Sequence, residues 1–111
     1  MRITMVKKVK ADGSACRKCA EVEERLKSAG LWERINQVVV ADEREPDSAG
    51  MTLARQHGVD TAPFFIVEDA NGPARVYTIY MRLLREVLQM PVSESDEVAE
   101  ILDRHSGVDM L

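Results

Sequence analysis

The apolar positions of this chain fall into short strand-like runs separated by stretches of helical period. Ile3 to Val9 is rich in β-branched side chains and predicts a first strand. Ala11-Asp12-Gly13-Ser14 is a turn cluster, with Asp12 or Ser14 available to cap a following helix. From Cys16 the period changes. Cys19, Val22, Leu26 and Ala29 share one helical face, and Glu21, Glu23, Glu24, Arg25 and Lys27 occupy the other. Glu21 with Arg25 and Glu23 with Lys27 form favourable pairs one turn apart. Gly30 is placed to stop this helix.

Ile35 to Ala41 contains an unbroken Val-Val-Val run, which predicts a strand buried on both faces. A charged loop from Asp42 to Asp47 leads to a helix over Ser48–His57, closed by Gly58. Phe64-Phe65-Ile66-Val67 predicts another buried strand. Asn71-Gly72 is a hairpin turn signal leading to a strand over Arg75–Tyr80. Met81 to Met90 reads as a helix with Tyr80, Leu84, Val87 and Leu88 on one stripe, ended by Pro91. Ser93 to Glu97 offers a cap and an acidic first turn for a last helix reaching about His105 and stopping near Gly107. Val98, Ile101 and Leu102 line one face of that helix and must be buried, either on this domain or against a partner. The order β-α-β-α-β-β-α, plus a C-terminal helix, implies a right-handed parallel βαβ crossover and then an antiparallel pair. The expected fold is α/β, a four-stranded mixed sheet with helices on both faces. The domain covers residues 1–90, with a helical extension over 91–111.

Composition narrows the function classes. With 111 residues the chain is one domain, and 45% apolar with 31% charged residues is globular rather than disordered. The net charge of −4 lacks the basic footprint of a general nucleic-acid binder. No apolar run approaches the ~20 residues that span a bilayer. Neither nucleic acid nor a membrane is therefore an expected partner. Met1 to Lys8 is charged and has no small-residue cleavage site, so it does not read as a signal peptide. The expected compartment is the reducing cytoplasm, where a lone pair of cysteines is catalytic or metal-binding more often than a structural staple.

That pair is Cys16-Arg17-Lys18-Cys19, placed between the first strand and the first helix. Cys16 stands at the first helical turn, where unpaired N–H groups and the positive dipole end favour a thiolate. Arg17 and Lys18 add cations beside it, so all three effects tune its pKa downward. Cys19 lies one turn on, in line with Val22 and Leu26, and is expected to be more buried and less ionised. This asymmetry suits a two-step exchange in which Cys16 is the nucleophile and Cys19 resolves the mixed disulfide. Two blander readings stand beside it: an incidental pair of buried thiols, or half of a metal site. A structural zinc needs four ligands, and the other soft candidates are His57 and His105. His57 also reads as a cation at a helix end. Lys7 and Lys8 read as a solvated edge or, with Arg17 and Lys18, as a local basic patch.

Together with Gly58-Val59-Asp60-Thr61-Ala62-Pro63-Phe64-Phe65-Ile66-Val67, this motif resembles the thioredoxin-like superfamily over roughly residues 2–90. The layout is nearer to glutaredoxin than to full thioredoxin. The resemblance implies a three-layer sandwich with sheet order 2-1-3-4. It also implies a cis Pro63 opposite the cysteines. Ala62 would then turn its backbone outward to hold an extended substrate chain, with Thr61 shaping the same surface. The implied activity is thiol–disulfide exchange through a redox-active Cys16–Cys19 disulfide, with no metal or other cofactor. The implied partners are a disulfide-containing protein or a small thiol or sulfur substrate, and an electron donor such as a thioredoxin reductase or glutathione. The chain departs from the family in three places. Ala15 stands where thioredoxins carry Trp, the buried acid that thioredoxins carry near the position of Lys10 is missing, and Asn71-Gly72-Pro73-Ala74-Arg75 replaces the glycine pair and acid that grip glutathione. These departures motivate an alternative: a low-turnover thioredoxin-fold binding module, accessory to a larger enzyme or complex, for example in sulfur metabolism.

Overall fold

In the computed structural model, which describes residues 1–104 and 110–111, the first β-branched run is strand β1 (Arg2–Val9). Helix α1 (Arg17–Ser28) follows, then β2 (Gln37–Asp42), α2 (Ala49–His57) and β3 (Phe64–Glu68). Strand β4 (Arg75–Tyr77), α3 (Tyr80–Glu86) and α4 (Glu94–Arg104) complete the order. The expected end of the last helix, from His105 to Gly107, lies outside the described residues.

The four strands form one mixed sheet in the order β2-β1-β3-β4, as expected. β1 runs parallel to β2 and antiparallel to β3, and β3 runs antiparallel to β4. The register sets Met5 opposite Phe65 and Val6 opposite Phe64. Because side chains alternate along a strand, these pairs feed two separate cores. Ile3, Met5, Phe65 and Val67 pack under Val22 and Leu26 of α1 and Tyr80 and Leu83 of α3. Val6, Phe64 and Ile66 pack with Ala41 and Ala54 on the α2 side. The Phe64–Val67 run is buried throughout, as its position in the interior of the sheet requires.

The α1 stop is a Schellman turn. Gly30 sits at φ +71°, Leu31 N–H donates to the Leu26 carbonyl at 2.9 Å, and Gly30 N–H donates to Lys27 at 3.1 Å. The N-terminal end differs from expectation: neither Asp12 nor Ser14 caps α1, whose N-cap is Cys16 itself. Asp12 instead closes its own turn by accepting from the Ser14 N–H at 2.9 Å.

Three further expectations are corrected. β2 is an edge strand, not a strand buried on both faces: Val39 and Ala41 face α2, while Val38 and Val40 remain 37% exposed. The second hairpin strand ends at Tyr77, and Tyr80 begins α3 rather than closing the strand. Helix α3 then stops at Glu86, short of the expected Met90, because Gln89 takes a left-handed φ of +56° and turns the chain toward Pro91.

The last helix docks on this domain, but with its polar stripe. Glu97, Glu100 and Arg104 face inward, and Val98 and Leu102 are 48% and 67% exposed. The Glu100 carboxylate accepts from the N–H groups of Tyr80 and, at 2.8 Å, Met81, which satisfies orphan donors at the start of α3. Glu97 accepts from Arg82 at 2.8 Å and from Arg85. Of the expected apolar stripe, Ile101 is half-buried, while Val98 and Leu102 are left outside by the directed polar bonds of the inward face. Among the described residues no helix is long and apolar enough to cross a membrane.

Candidate functional site

The two cysteines lie where β1 ends and α1 begins. Cys16 N–H donates to the Lys8 carbonyl at 3.2 Å, and its own carbonyl accepts from Ala20 at 3.0 Å as the first turn of α1. The Lys8 N–H in turn donates to the Cys19 sulfur at 3.3 Å. Both thiols are reduced and share a small buried cluster with Ala62. Because β3 runs antiparallel to β1 with Phe64 opposite Val6, the residues just before β3 arrive beside Lys8 and the cysteines. Pro63, joined to Ala62 by a cis peptide bond, is among the fully buried residues. The sequence-predicted Cys16, Cys19, Ala62 and Pro63 are thus brought together.

The electrostatics separate the two sulfurs. The Cys19 thiol is pushed above its ordinary value of 9.0, first by its hydrogen bond to Cys16 and next by burial. The Lys8 N–H and, more weakly, Arg104 act in the opposite direction. Cys19 is thus held in its protonated form by its contact with Cys16 and by burial.

Exposure departs from expectation. Cys16 was expected to be the open member of the pair, yet it is only 3% exposed, against 2% for Cys19. Being first in the helix sets its position but not its access to solvent.

Arg17 points into solvent. Lys18 is turned toward two carboxylates, Glu21 and Asp103, each at 3.9 Å. Lys7 pairs with Glu23 at 3.4 Å and Lys8 with Glu43 at 3.2 Å. The local basic patch is therefore not formed, because each of these three lysines meets an acid. Lys8 is also buried, not part of a solvated edge. Thr61 lies one residue before Ala62 and bridges to Met110.

Sequence reasoning missed the largest cation at the site. Arg104 of α4 is buried, and its guanidinium donates to the carbonyl of Ala62 at 2.6 Å, to that of Pro63, and to that of Thr78 at 3.1 Å. It thereby fixes the segment that faces the cysteines. A cleft of about 330 Å³ opens beside it, lined by Asp60, Thr61, Thr78, Ile79, Arg104 and Met110. The signal in the sequence is the stripe Glu97–Glu100–Arg104, spaced by three and four residues, which a polar-equals-solvated rule discards.

His57 closes α2 and lines a groove with Gln56, Leu53 and Ile66 on the other side of the sheet. His105 lies outside the described residues. Among the described residues no three His, Cys, Asp or Glu side chains gather as a metal site. Comparison with known proteins yields no matching family model, no matching curated protein and no matching solved structure.

Proposed function

We propose that this protein is a thiol–disulfide oxidoreductase of thioredoxin-like architecture that works through the Cys16–Cys19 pair. The observation that carries the reading is the buried cluster that joins both thiols to Ala62 at the N-terminal end of α1, where contact with Cys16 and burial hold the Cys19 thiol protonated. The sheet order, the packing of Ala62 against the thiols and the cis bond that joins it to Pro63 support it.

In the forward step the Cys16 thiolate attacks one sulfur of a substrate disulfide. The Cys16–substrate bond forms, the substrate S–S bond breaks, and the second substrate sulfur leaves as a thiolate that takes a proton from solvent. Cys19 then loses its proton and attacks Cys16, forming the Cys16–Cys19 disulfide and releasing the first substrate sulfur as a thiol. The substrate disulfide gains two electrons, and the cysteine pair loses them. An external dithiol or thiol, of the thioredoxin-reductase or glutathione kind, returns the pair to its reduced state. On this reading Arg104 is a positioning residue: it holds the carbonyls of Ala62 and Pro63 and leaves the backbone beside Cys16 as a fixed surface for the substrate chain. The substrate is a disulfide-bearing polypeptide or a small sulfur compound, and the compartment is the reducing cytoplasm.

The test is trapping. Cys19→Ser should accumulate a Cys16 mixed disulfide with a disulfide-bearing substrate, and Cys16→Ser should accumulate none. Absence of a trapped species in both variants, together with no reversible two-electron titration of the pair, overturns the reading.

The near-complete burial of both thiols favours a second reading, a binding module that retains the architecture with little turnover. That reading requires slow disulfide reduction even when the thiols are made accessible.

A further inference from the structure

Both sulfurs are almost closed to water, and part of what closes them comes from the far end of the described chain. Thr61 and Met110 form an isolated antiparallel bridge. The Leu111 N–H donates to the Asp60 carbonyl at 2.7 Å. From the other side, the Lys8 ammonium donates to the Met110 carbonyl at 2.7 Å. The Leu111 side chain packs against the cluster of Cys16, Cys19 and Ala62. Residues 110–111 are thus held by backbone pairing, by a charge-assisted bond and by apolar contact, all at the thiols.

None of these contacts is particular to Met or Leu. Backbone pairing along Asp60–Thr61 accepts any extended segment, with specificity left to the pocket that its side chains meet. Lys8 recognises a carbonyl oxygen, which every residue carries. The apolar side chain at position 111 packs against the two thiols and the Ala62 methyl group, and also against the core around Val6 and Phe64, and an incoming apolar side chain can make the same contacts. The edge is built to hold a strand, and a segment of the same chain already occupies it.

We propose that residues 110–111 are an internal strap: they occupy the strand-pairing edge at Asp60–Thr61, shield Cys16 and Cys19, and must be displaced by an extended polypeptide before either sulfur reacts. The identity of that polypeptide as a disulfide substrate rests on the oxidoreductase reading above, whereas the shielding does not. One net hydrogen bond is enough for a useful effect, because about 1.4 kcal/mol in favour of the closed form suppresses reactivity about ten-fold.

The experiment is alkylation of the reduced full chain by excess iodoacetamide, a small neutral probe, with the modified cysteine identified by mass spectrometry. Three variants loosen the strap in different ways. Leu111→Pro removes the N–H given to Asp60, Leu111→Ser removes the apolar contact, and Lys8→Met removes the bond to the Met110 carbonyl. Each is expected to raise the Cys16 alkylation rate about ten-fold, with an unchanged urea midpoint for the two Leu111 variants and a lowered one for Lys8→Met, which also loses its pair with Glu43. Rates within about two-fold of the unmodified chain in all three variants overturn the proposal. So does a rise that merely tracks loss of global stability across the three. Faster alkylation with neither trapping by Cys19→Ser nor a reversible two-electron titration of the pair leaves the strap standing and removes the oxidoreductase reading. Trapping without faster alkylation does the reverse.

Discussion

The guanidinium of Arg104 donates to the carbonyl of Ala62 at 2.6 Å, across 42 positions of sequence, and this bond ties the last helix to the loop that faces the cysteines. The same side chain reaches the carbonyls of Pro63 and Thr78. Removing it strips three acceptors of their charged donor inside the protein. Arg104→Ala is expected to lower stability by about 2–4 kcal/mol, read from the urea midpoint. Arg104→Lys retains the charge but not the planar fork, so it should recover only part of that loss. A loss below about 0.5 kcal/mol in the alanine variant would show that the clamp contributes little.

The carboxylate of Glu100 performs the matching task at α3. It accepts from the N–H groups of Tyr80 and Met81, at a helix start whose N-cap residue, Ile79, offers no side-chain acceptor. Glu100→Ala should cost about 1–3 kcal/mol, and Glu100→Gln, which keeps one acceptor oxygen, should cost less. Hydrogen exchange gives the site-specific check. The amides of Tyr80 and Met81 should lose protection in both variants while amides in β1 and β3 keep theirs. Uniform loss across the sheet would mean that the cap is not local.

These two side chains mark the boundary of what the sequence made legible. The strand periods of Ile3–Val9 and Phe64–Val67 are carried by apolar side chains alone, so pattern reading finds them, whereas their order in the sheet is implied only by the family resemblance. Cys16, Cys19, Ala62 and Pro63 are legible as a group because a short motif and a loop proline keep their own identities. Glu100 and Arg104 are buried for another reason, since their partners are backbone N–H and carbonyl groups that no side-chain pattern displays. Lys8 occupies an inward position in the alternation Thr4-Val6-Lys8, yet its charge reads as solvent-facing until Glu43 and the Met110 carbonyl are placed around it. Val38 and Val40 err in the opposite sense. An apolar run looks central, but only the strand order reveals that it lies at the edge.

Gly50 tests how α2 is seated on the sheet. A Cβ at this position would stand 2.3 Å from the Ala41 nitrogen and 2.4 Å from the Val40 carbonyl carbon, both backbone atoms that cannot swing aside. Helix propensity favours alanine over glycine by about 1 kcal/mol, but forced separation of helix and strand costs more. Gly50→Ala is therefore expected to destabilise by about 1–3 kcal/mol, despite the better helix former. Gly72→Ala is the control, since nothing lies within 4 Å of its would-be Cβ. Equal thermal midpoints for the two variants would refute the close seating of α2.

The proton on Cys19 gives a pH dependence with a definite sign. Its hydrogen bond to Cys16, and then burial, raise the folded thiol above the ordinary value of 9.0, so the folded chain retains a proton that the unfolded chain gives up. The resulting stability is fully present below about pH 9 and is lost as the pH rises beyond it, because there the native state binds more protons than the unfolded one. Urea stability of the reduced protein should accordingly fall above that pH, by up to about 1.4 kcal/mol per pH unit more steeply than in Cys19→Ala. Parallel slopes would mean that the fold does not hold this proton. The comparison also bears on the order of attack. A Cys19 that stays protonated through neutral pH cannot open a substrate disulfide, so alkylation and mixed-disulfide formation at neutral pH should both map to Cys16. On the oxidoreductase reading, Cys19 would become the nucleophile only after Cys16 has formed its bond to the substrate.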